Sequence, residues 1–145
     1  MELSEITSEV LRKSPGGASC IFVKLDDERG LKLYDSRRDA VESRWRQRMA
    51  TRRGLAPKVF GKAELTIDGR QYFGYISEVA DVVPFVDGRL SLPFAAQEII
   101  EESTDFQVLL DNLREIGLGG DLATRNIGWI NGKMVCIDFS FHSVY

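Results

Sequence analysis

Two dipeptides, Asp68-Gly69 and Asn131-Gly132, constrain the fold most strongly, because both favour the two-residue turn of a β-hairpin. Each lies between two strand-like runs. These runs are 63–67 and 71–79 around the first dipeptide, and 126–130 and 133–138 around the second. The sequence therefore predicts two antiparallel hairpins, one in each half of the chain.

Helical periodicity and further strand-like runs fill the rest of the chain. A short helix is predicted in the first dozen residues, and two strands are predicted around the turn signal at 26–30. The predicted elements are strands at 20–25 and 31–34, a strand within 55–60, and helices at 36–53, 92–103 and 104–118. The last helix is expected to begin at a Thr or Asp cap.

The helix at 36–53 is the longest predicted element. Asp35 or Ser36 is expected to cap it, and Gly54 to end it. Its apolar stripe is Val41, Trp45 and Met49, at i, i+4 and i+8, which predicts the face that packs against the core.

This order of elements indicates an α+β protein with two lobes. Residues 1–79 form a mainly antiparallel sheet with one long helix inserted. Residues 80–145 contain helices followed by a small hairpin, and the seam lies near 79–84.

Composition narrows the location and the chemistry. The 145 residues carry a net charge of −3 and contain no apolar run near the roughly 18 residues of a membrane span. Cys20 and Cys136 lie in apolar runs, which indicates reduced, packed thiols in a cytoplasmic protein. The lone histidine, His142, rules out His-rich metal sites and is assigned no role, so carboxylates, lysines and backbone amides must do most of any chemistry.

The most informative stretch runs from Asp121 to Asp138. Asn126 enters one strand of the second hairpin and Asp138 leaves the paired strand, so their oxygens can converge at one end of the ribbon. A carboxylate and an amide carbonyl suit Mg²⁺, which needs only one or two protein ligands beside phosphate and water. The alternative is that Asp121 is a helix cap and Asn126 a turn residue.

Asp-x4-Asn, a hairpin and then Asp-Phe-small together resemble the catalytic and metal-binding loops of the protein kinase-like superfamily. DLATRN (121–126) is similar to the kinase catalytic loop, and DFS (138–140) to the Asp-Phe-Gly motif. The resemblance implies that Asp121 orients and deprotonates the accepting hydroxyl. It also implies that Asn126 and Asp138 hold Mg²⁺ against the phosphates of ATP.

The run RGLKLY (29–34) resembles the third-strand lysine motif of kinases. Lys32 would reach the α- and β-phosphates, Gly30 would lie over the adenine, and Glu42 would pair with the lysine. Lys24 is the competing lysine, but Phe22 would then fill the adenine position. Without the resemblance, Lys32 is a solvated strand residue and Glu42 a surface charge.

Two further segments complete the resemblance. KSPGGAS (13–19) resembles the glycine-rich phosphate loop, with Gly16 and Gly17 offering backbone amides and Ser19 a hydroxyl, although a plain turn is the alternative. Glu78 and Ala80 fall where the kinase hinge presents backbone groups to adenine.

The implied protein is a miniature kinase, truncated after its Asp-Phe-Gly-like motif and similar to compact kinases of bacterial effectors and phages. It would use ATP and Mg²⁺ to phosphorylate a protein hydroxyl in the cytoplasm, of its source or of a host cell. A partner would supply substrate docking or activation. The alternatives are a pseudokinase that binds nucleotide or protein, and an unrelated α+β protein with coincidental motifs.

Charge is distributed unevenly between two helical segments. The basic segment is the helix at 36–53, with Arg37, Arg38, Arg44, Arg46, Arg48, Arg52 and Arg53. The acidic segment contains Glu98, Glu101, Glu102, Asp105, Asp111, Glu115 and Asp121. Both segments can simply be solvated faces of the protein. The more specific expectation is that the basic helix binds an acidic partner. The negative net charge does not favour binding to nucleic acid.

Overall fold

The computed structural model describes residues 1–15, 20–83, 85–86, 89–119 and 122–139, which form an α+β protein with antiparallel sheets. The helices are α1 (Ser8–Lys13), α2 (Arg37–Arg52), α3 (Phe94–Glu101) and α4 (Thr104–Glu115). The strands are β1 (Ile21–Lys24), β2 (Arg29–Tyr34), β3 (Val59–Ile67), β4 (Arg70–Glu78), β5 (Asp81–Val82), β6 (Phe85–Val86), β7 (Arg89–Leu90), β8 (Ile127–Ile130) and β9 (Lys133–Cys136). Short 3-10 turns occur at Leu3–Glu5 and Thr124–Asn126. None of the described helices is long and apolar enough to cross a membrane.

The chain divides into two compact units. The first contains Met1–Trp45 and Lys58–Val79, and the second contains Arg46–Pro57 and the chain from Ala80 onward. In this division, residues 46–57 group with the second unit. The identity of these units as kinase lobes stays a prediction.

The first unit contains a four-stranded antiparallel sheet in the order β1-β2-β4-β3. The predicted hairpin joins β3 to β4, with positive φ at Asp68 (51°) and Gly69 (79°), as a type I′ turn requires. In the β1–β2 connection, the Asp26 carboxylate accepts hydrogen bonds from the amides of Glu28 and Arg29, both at 2.8 Å. These bonds lower the pKa of Asp26.

The strand β2 is buried on both faces. Leu31 and Leu33 face one apolar cluster, in which β1, β3, β4 and the N-terminal residues also take part. The opposite face carries Tyr34, which packs with Tyr75 of β4 and Ala40 of α2.

The helix α2 has the predicted bounds but not the predicted buried face. The Ser36 hydroxyl accepts from the amide of Asp39 at 3.1 Å and caps the helix, and Gly54 follows its end with φ 71°. The predicted apolar stripe is wrong at Val41 and Trp45, which are exposed, whereas Met49 is partly buried against the core of the second unit. The buried positions are small or polar: Ala40, Ser43, Gln47 and Ala50.

Hydrogen bonds explain why polar residues can occupy that face. The Ser43 hydroxyl lies 2.6 Å from the Tyr34 hydroxyl and 3.1 Å from that of Tyr75, all within the first unit. In the second unit, Gln47 Nε2 and Thr51 Oγ1 both donate to the Pro57 carbonyl, at 3.0 and 2.7 Å. A buried polar group that is hydrogen-bonded avoids most of its desolvation cost.

The second unit combines α3 and α4 with the predicted second hairpin. Asn131 (φ 51°) and Gly132 (φ 79°) form its turn, and β5 adds a third strand that the sequence did not predict. The core cluster contains Ala50, Leu55, Ala56, Phe106, Leu109, Leu113, Leu118, Ile127, Cys136 and Phe139. Ser103 caps α4 through the amide of Phe106, so the expected Thr or Asp cap is wrong by one residue.

Both cysteines are thiols, as predicted. Cys136 is buried in the core of the second unit, and Cys20 is half-buried in the first.

The buried Tyr34 hydroxyl predicts a pH-dependent stability. Burial, with smaller effects of Tyr75 and Cys20, raises the pKa of Tyr34 well above its usual value of 10.0. The contribution of a raised pKa is complete below pH 10 and is lost as the pH rises through the folded-state value. In urea denaturation at several pH values, Tyr34→Phe should therefore lose stability less steeply than the parent above pH 10. Parallel profiles would contradict this assignment.

Candidate functional site

The first group of candidate residues lies on one face of β2. Gly30, Lys32 and Tyr34 alternate along the strand and so share a face. Lys32 is only 6% exposed, and its Nζ lies 5.7 Å from the centre of the Tyr75 ring. This burial contradicts the interpretation of Lys32 as a solvated strand residue, which is wrong. Burying an ammonium group is costly, so Lys32 differs from an ordinary surface lysine.

The competing lysine has a different environment. Lys24 is paired with Asp27 at 3.4 Å, and its side chain is more than half exposed. A pair of this kind contributes little to stability. Of the two lysines, Lys32 is therefore the one that the fold places in a protected environment.

The ring of Phe22 covers Gly30. Phe22 pairs with Lys32 across β1 and β2, and its ring occupies the space that a side chain at Gly30 would need. The glycine thus serves the packing of this ring. The position expected for adenine is filled by Phe22 in this arrangement.

The placement of α2 determines where Glu42 lies. Its neighbour Ser43 is bonded to Tyr34, and Tyr34 lies two residues beyond Lys32 on the same strand face. The helix therefore covers the face of β2 that carries the lysine. The Glu42 carboxylate is half-buried and accepts from Arg38 Nε at 3.1 Å.

Glu78 and Ala80 lie on either side of the unit boundary. The Glu78 carboxylate accepts from the Lys58 amide at 3.0 Å, and the Glu78 amide donates to the Lys58 carbonyl at 2.8 Å. Glu78 therefore fixes the start of β3 to the end of β4. Ala80 packs beside Gly128 in the second unit. The adenine-binding role of this segment stays a prediction.

The second group of candidates lies at one end of the β8–β9 ribbon. The backbone carbonyl of Asn126 accepts from the backbone amide of Ile137 at 2.9 Å. This bond places Asn126 beside the residue that precedes Asp138. Asn126 is 5% exposed and Asp138 is half-buried. An amide and a carboxylate at one ribbon end are a donor set that Mg²⁺ accepts.

The residue after Asp138 anchors this end of the ribbon. Phe139 is fully buried in the core of the second unit, and its carbonyl accepts from an Arg46 guanidinium nitrogen at 3.3 Å. The Asp138 carbonyl accepts from Cys136 Sγ at 3.5 Å. The backbone around Asp138 is thus held on both sides.

Helix α3 holds the loop that precedes Asn126. Thr124 is buried, its amide donates to Glu101 Oε2 at 2.9 Å, and its hydroxyl reaches the Gln97 carbonyl at 3.5 Å. Asp121, Gly16, Gly17 and Ser19 lie outside the described residues. Their expected roles stay predictions.

Sequence reasoning missed the roles of Arg46 and Glu101. Their sequence context indicates solvated charges, yet Arg46 bonds the Phe139 carbonyl and Glu101 bonds the Thr124 amide. No local pattern marks such residues, because each bonds a backbone group far away in sequence. The sequence also does not indicate that the Phe22 ring covers Gly30.

Comparisons with known proteins add no relative. No protein-family model matches the chain, and no curated protein matches it significantly. The functional argument therefore depends on the residues themselves.

The bond between Glu101 and Thr124 can be tested without any ligand. Glu101→Ala removes the carboxylate acceptor, and losing such a bond costs about 1–3 kcal/mol. In hydrogen-exchange NMR, the Thr124 amide should exchange roughly 5- to 150-fold faster. Glu98→Ala, an exposed change on the same helix, is the control. Equal Thr124 rates in the two variants would show that Glu101 does not hold this loop.

Proposed function

We propose that this protein is an ATP-dependent phosphotransferase with a protein kinase-like, two-lobed fold, which transfers the γ-phosphoryl group to a protein hydroxyl. The burial of Lys32 beneath α2 carries the proposal. A fold rarely keeps a lysine in such a place without use for its charge, and phosphate binding is a common use. The kinase-like order of the remaining motifs supports this use.

The proposed roles follow the two groups of residues. Lys32 binds the α- and β-phosphates, and Glu42, on the helix over the same strand face, orients the lysine. Gly16, Gly17 and Ser19 contribute donors to the phosphates. Asp121 orients the acceptor hydroxyl and takes its proton.

Asn126 and Asp138 are the residues that would hold Mg²⁺. Within the described ranges, no group of three or more His, Cys, Asp or Glu side chains could hold a metal ion. The pair nevertheless fits Mg²⁺, which completes its shell with phosphate oxygens and water. When bound, the ion supplies positive charge that neutralises the phosphates. The hydrogen bonds at the Asp138 and Phe139 carbonyls support this role, because they hold the backbone next to the Asp138 carboxylate.

Phe22 sets a condition on nucleotide binding. For a base to lie over Gly30, the Phe22 ring has to turn away from the strand face that it now covers. Its rotation exchanges packing on Gly30 for stacking on the base. The side chain is half-buried, so part of the ring already borders solvent.

The same ring favours a second candidate function. If Phe22 stays on Gly30, the protein is a pseudokinase. It then acts by binding other proteins, or by binding a nucleotide through its phosphates alone. The two functions differ in whether phosphate is transferred.

Radiolabelled ATP with Mg²⁺, generic protein acceptors and cell lysate separates the two functions. The parent should label itself or an acceptor, and Lys32→Met, Asp121→Ala and Asp138→Ala should each lower the rate by at least about 100-fold. Lys24→Met, at the exposed lysine of the same sheet, is the matched control and should leave the rate unchanged. Mass spectrometry of the products identifies the phosphorylated residues.

Binding of ATP without transfer would establish the pseudokinase. If the protein neither binds ATP nor transfers phosphate, both nucleotide-dependent functions are contradicted. Equal losses in Lys24→Met and Lys32→Met would contradict the assignment of the lysine.

A further inference from the structure

The exposed face of α2 combines apolar and basic side chains. Val41 and Trp45 are 54% and 61% exposed, although the hydrophobic effect favours burying residues of this size. Arg38, Arg48 and Arg52 are also exposed. All five recur at three- and four-residue intervals, so they form one stripe along the helix. We call this stripe the basic face.

Helix α4 carries a stripe of the opposite sign. Val108 is 51% exposed, and it lies between Asp105 and Asp111 at three-residue intervals. Glu115 continues the stripe one turn further and is exposed as well. Phe106, Leu109 and Leu113 bury the other side of the helix, which fixes this stripe toward the outside. We call it the acidic face.

The two faces are opposite in charge, and both expose apolar surface. Each places exposed apolar surface among side chains of one charge sign, and the signs are opposite. At the helical rise of 1.5 Å per residue, the basic face spans about 21 Å from Arg38 to Arg52, and the acidic face spans about 15 Å from Asp105 to Glu115. Trp and Arg, which occur on the basic face, are the residues most enriched at the centres of protein interfaces.

We propose that the basic face of one copy of this protein binds the acidic face of a second copy. The contact joins two different surfaces, so it is heterologous, and the assembly keeps one unused basic face at one end and one unused acidic face at the other. A second copy fits better than nucleic acid, because the chain is acidic overall, with a net charge of −3. This inference does not depend on the proposed phosphotransfer.

The size of the faces predicts a weak association. One helix packed on one helix buries less than the roughly 1,200 Å² of a standard interface. Opposite charges in such a contact are partly exposed, so added salt should weaken it. The dissociation constant is therefore expected to be as high as about 1 mM, and to rise further at high ionic strength.

Sedimentation equilibrium of the full chain tests the proposal with two variants. Trp45→Ser with Arg48→Glu removes the basic face, and Val108→Ser with Asp111→Arg removes the acidic face. All four positions are exposed, and circular dichroism checks that both variants fold. In each variant alone, the association constant should be at least about tenfold lower than in the parent, so that the variant is mainly monomeric. An equimolar mixture should form 1:1 dimers, because each variant supplies the face that the other lacks.

Lys62→Glu, an exposed charge reversal on β3, is the control and should associate as the parent does. A parent that is monomeric at every concentration would overturn the proposal. A mixture that stays monomeric would also overturn it. If only the basic-face variant loses association, two α2 helices pair with each other, and the proposed contact is wrong.

Discussion

The attachment of α2 by hydrogen bonds is the constraint on which the rest of the structure depends. Ser43 bonds two buried tyrosines in the first unit, and Gln47 bonds the Pro57 carbonyl in the second. Small and polar residues can form the inner face because each polar group meets a partner. The large apolar residues Val41 and Trp45 then remain on the outside. One arrangement thus sets both the packing of the helix and the surface that it presents.

The same helix contributes to both groups of candidate residues. Through Ser43 and Tyr34 it covers the strand face on which Lys32 is buried, and it carries Glu42, whose carboxylate accepts from Arg38. Further along, Arg46 holds the carbonyl of Phe139, next to Asp138. The phosphate-binding and metal-binding roles proposed above therefore both depend on α2.

Much of the secondary structure was predictable because it depends on local chemistry. Asp68-Gly69 and Asn131-Gly132 accept positive φ at little cost, and both form the expected turns. The inner face of α2 was not predictable from periodicity, which ranks residues by hydrophobicity alone. Burial of Gln47 requires the Pro57 carbonyl, ten residues away, and burial of Ser43 requires Tyr75, 32 residues away. The kinase-like motifs predicted candidate residues, but not that Phe22 covers Gly30.

The central claim of the proposed function is that Lys32 binds ATP and that Asn126 and Asp138 bind a divalent metal ion. NMR of the labelled full chain with ATP tests it most directly, with Mn²⁺ in place of Mg²⁺ as a paramagnetic probe. The account predicts that Mn-ATP broadens the signals of Asn126 and Asp138, and that the Phe22 ring signals shift as the ring leaves Gly30. Unchanged Phe22 and Lys32 signals, or broadening that spares Asn126 and Asp138, would contradict the account.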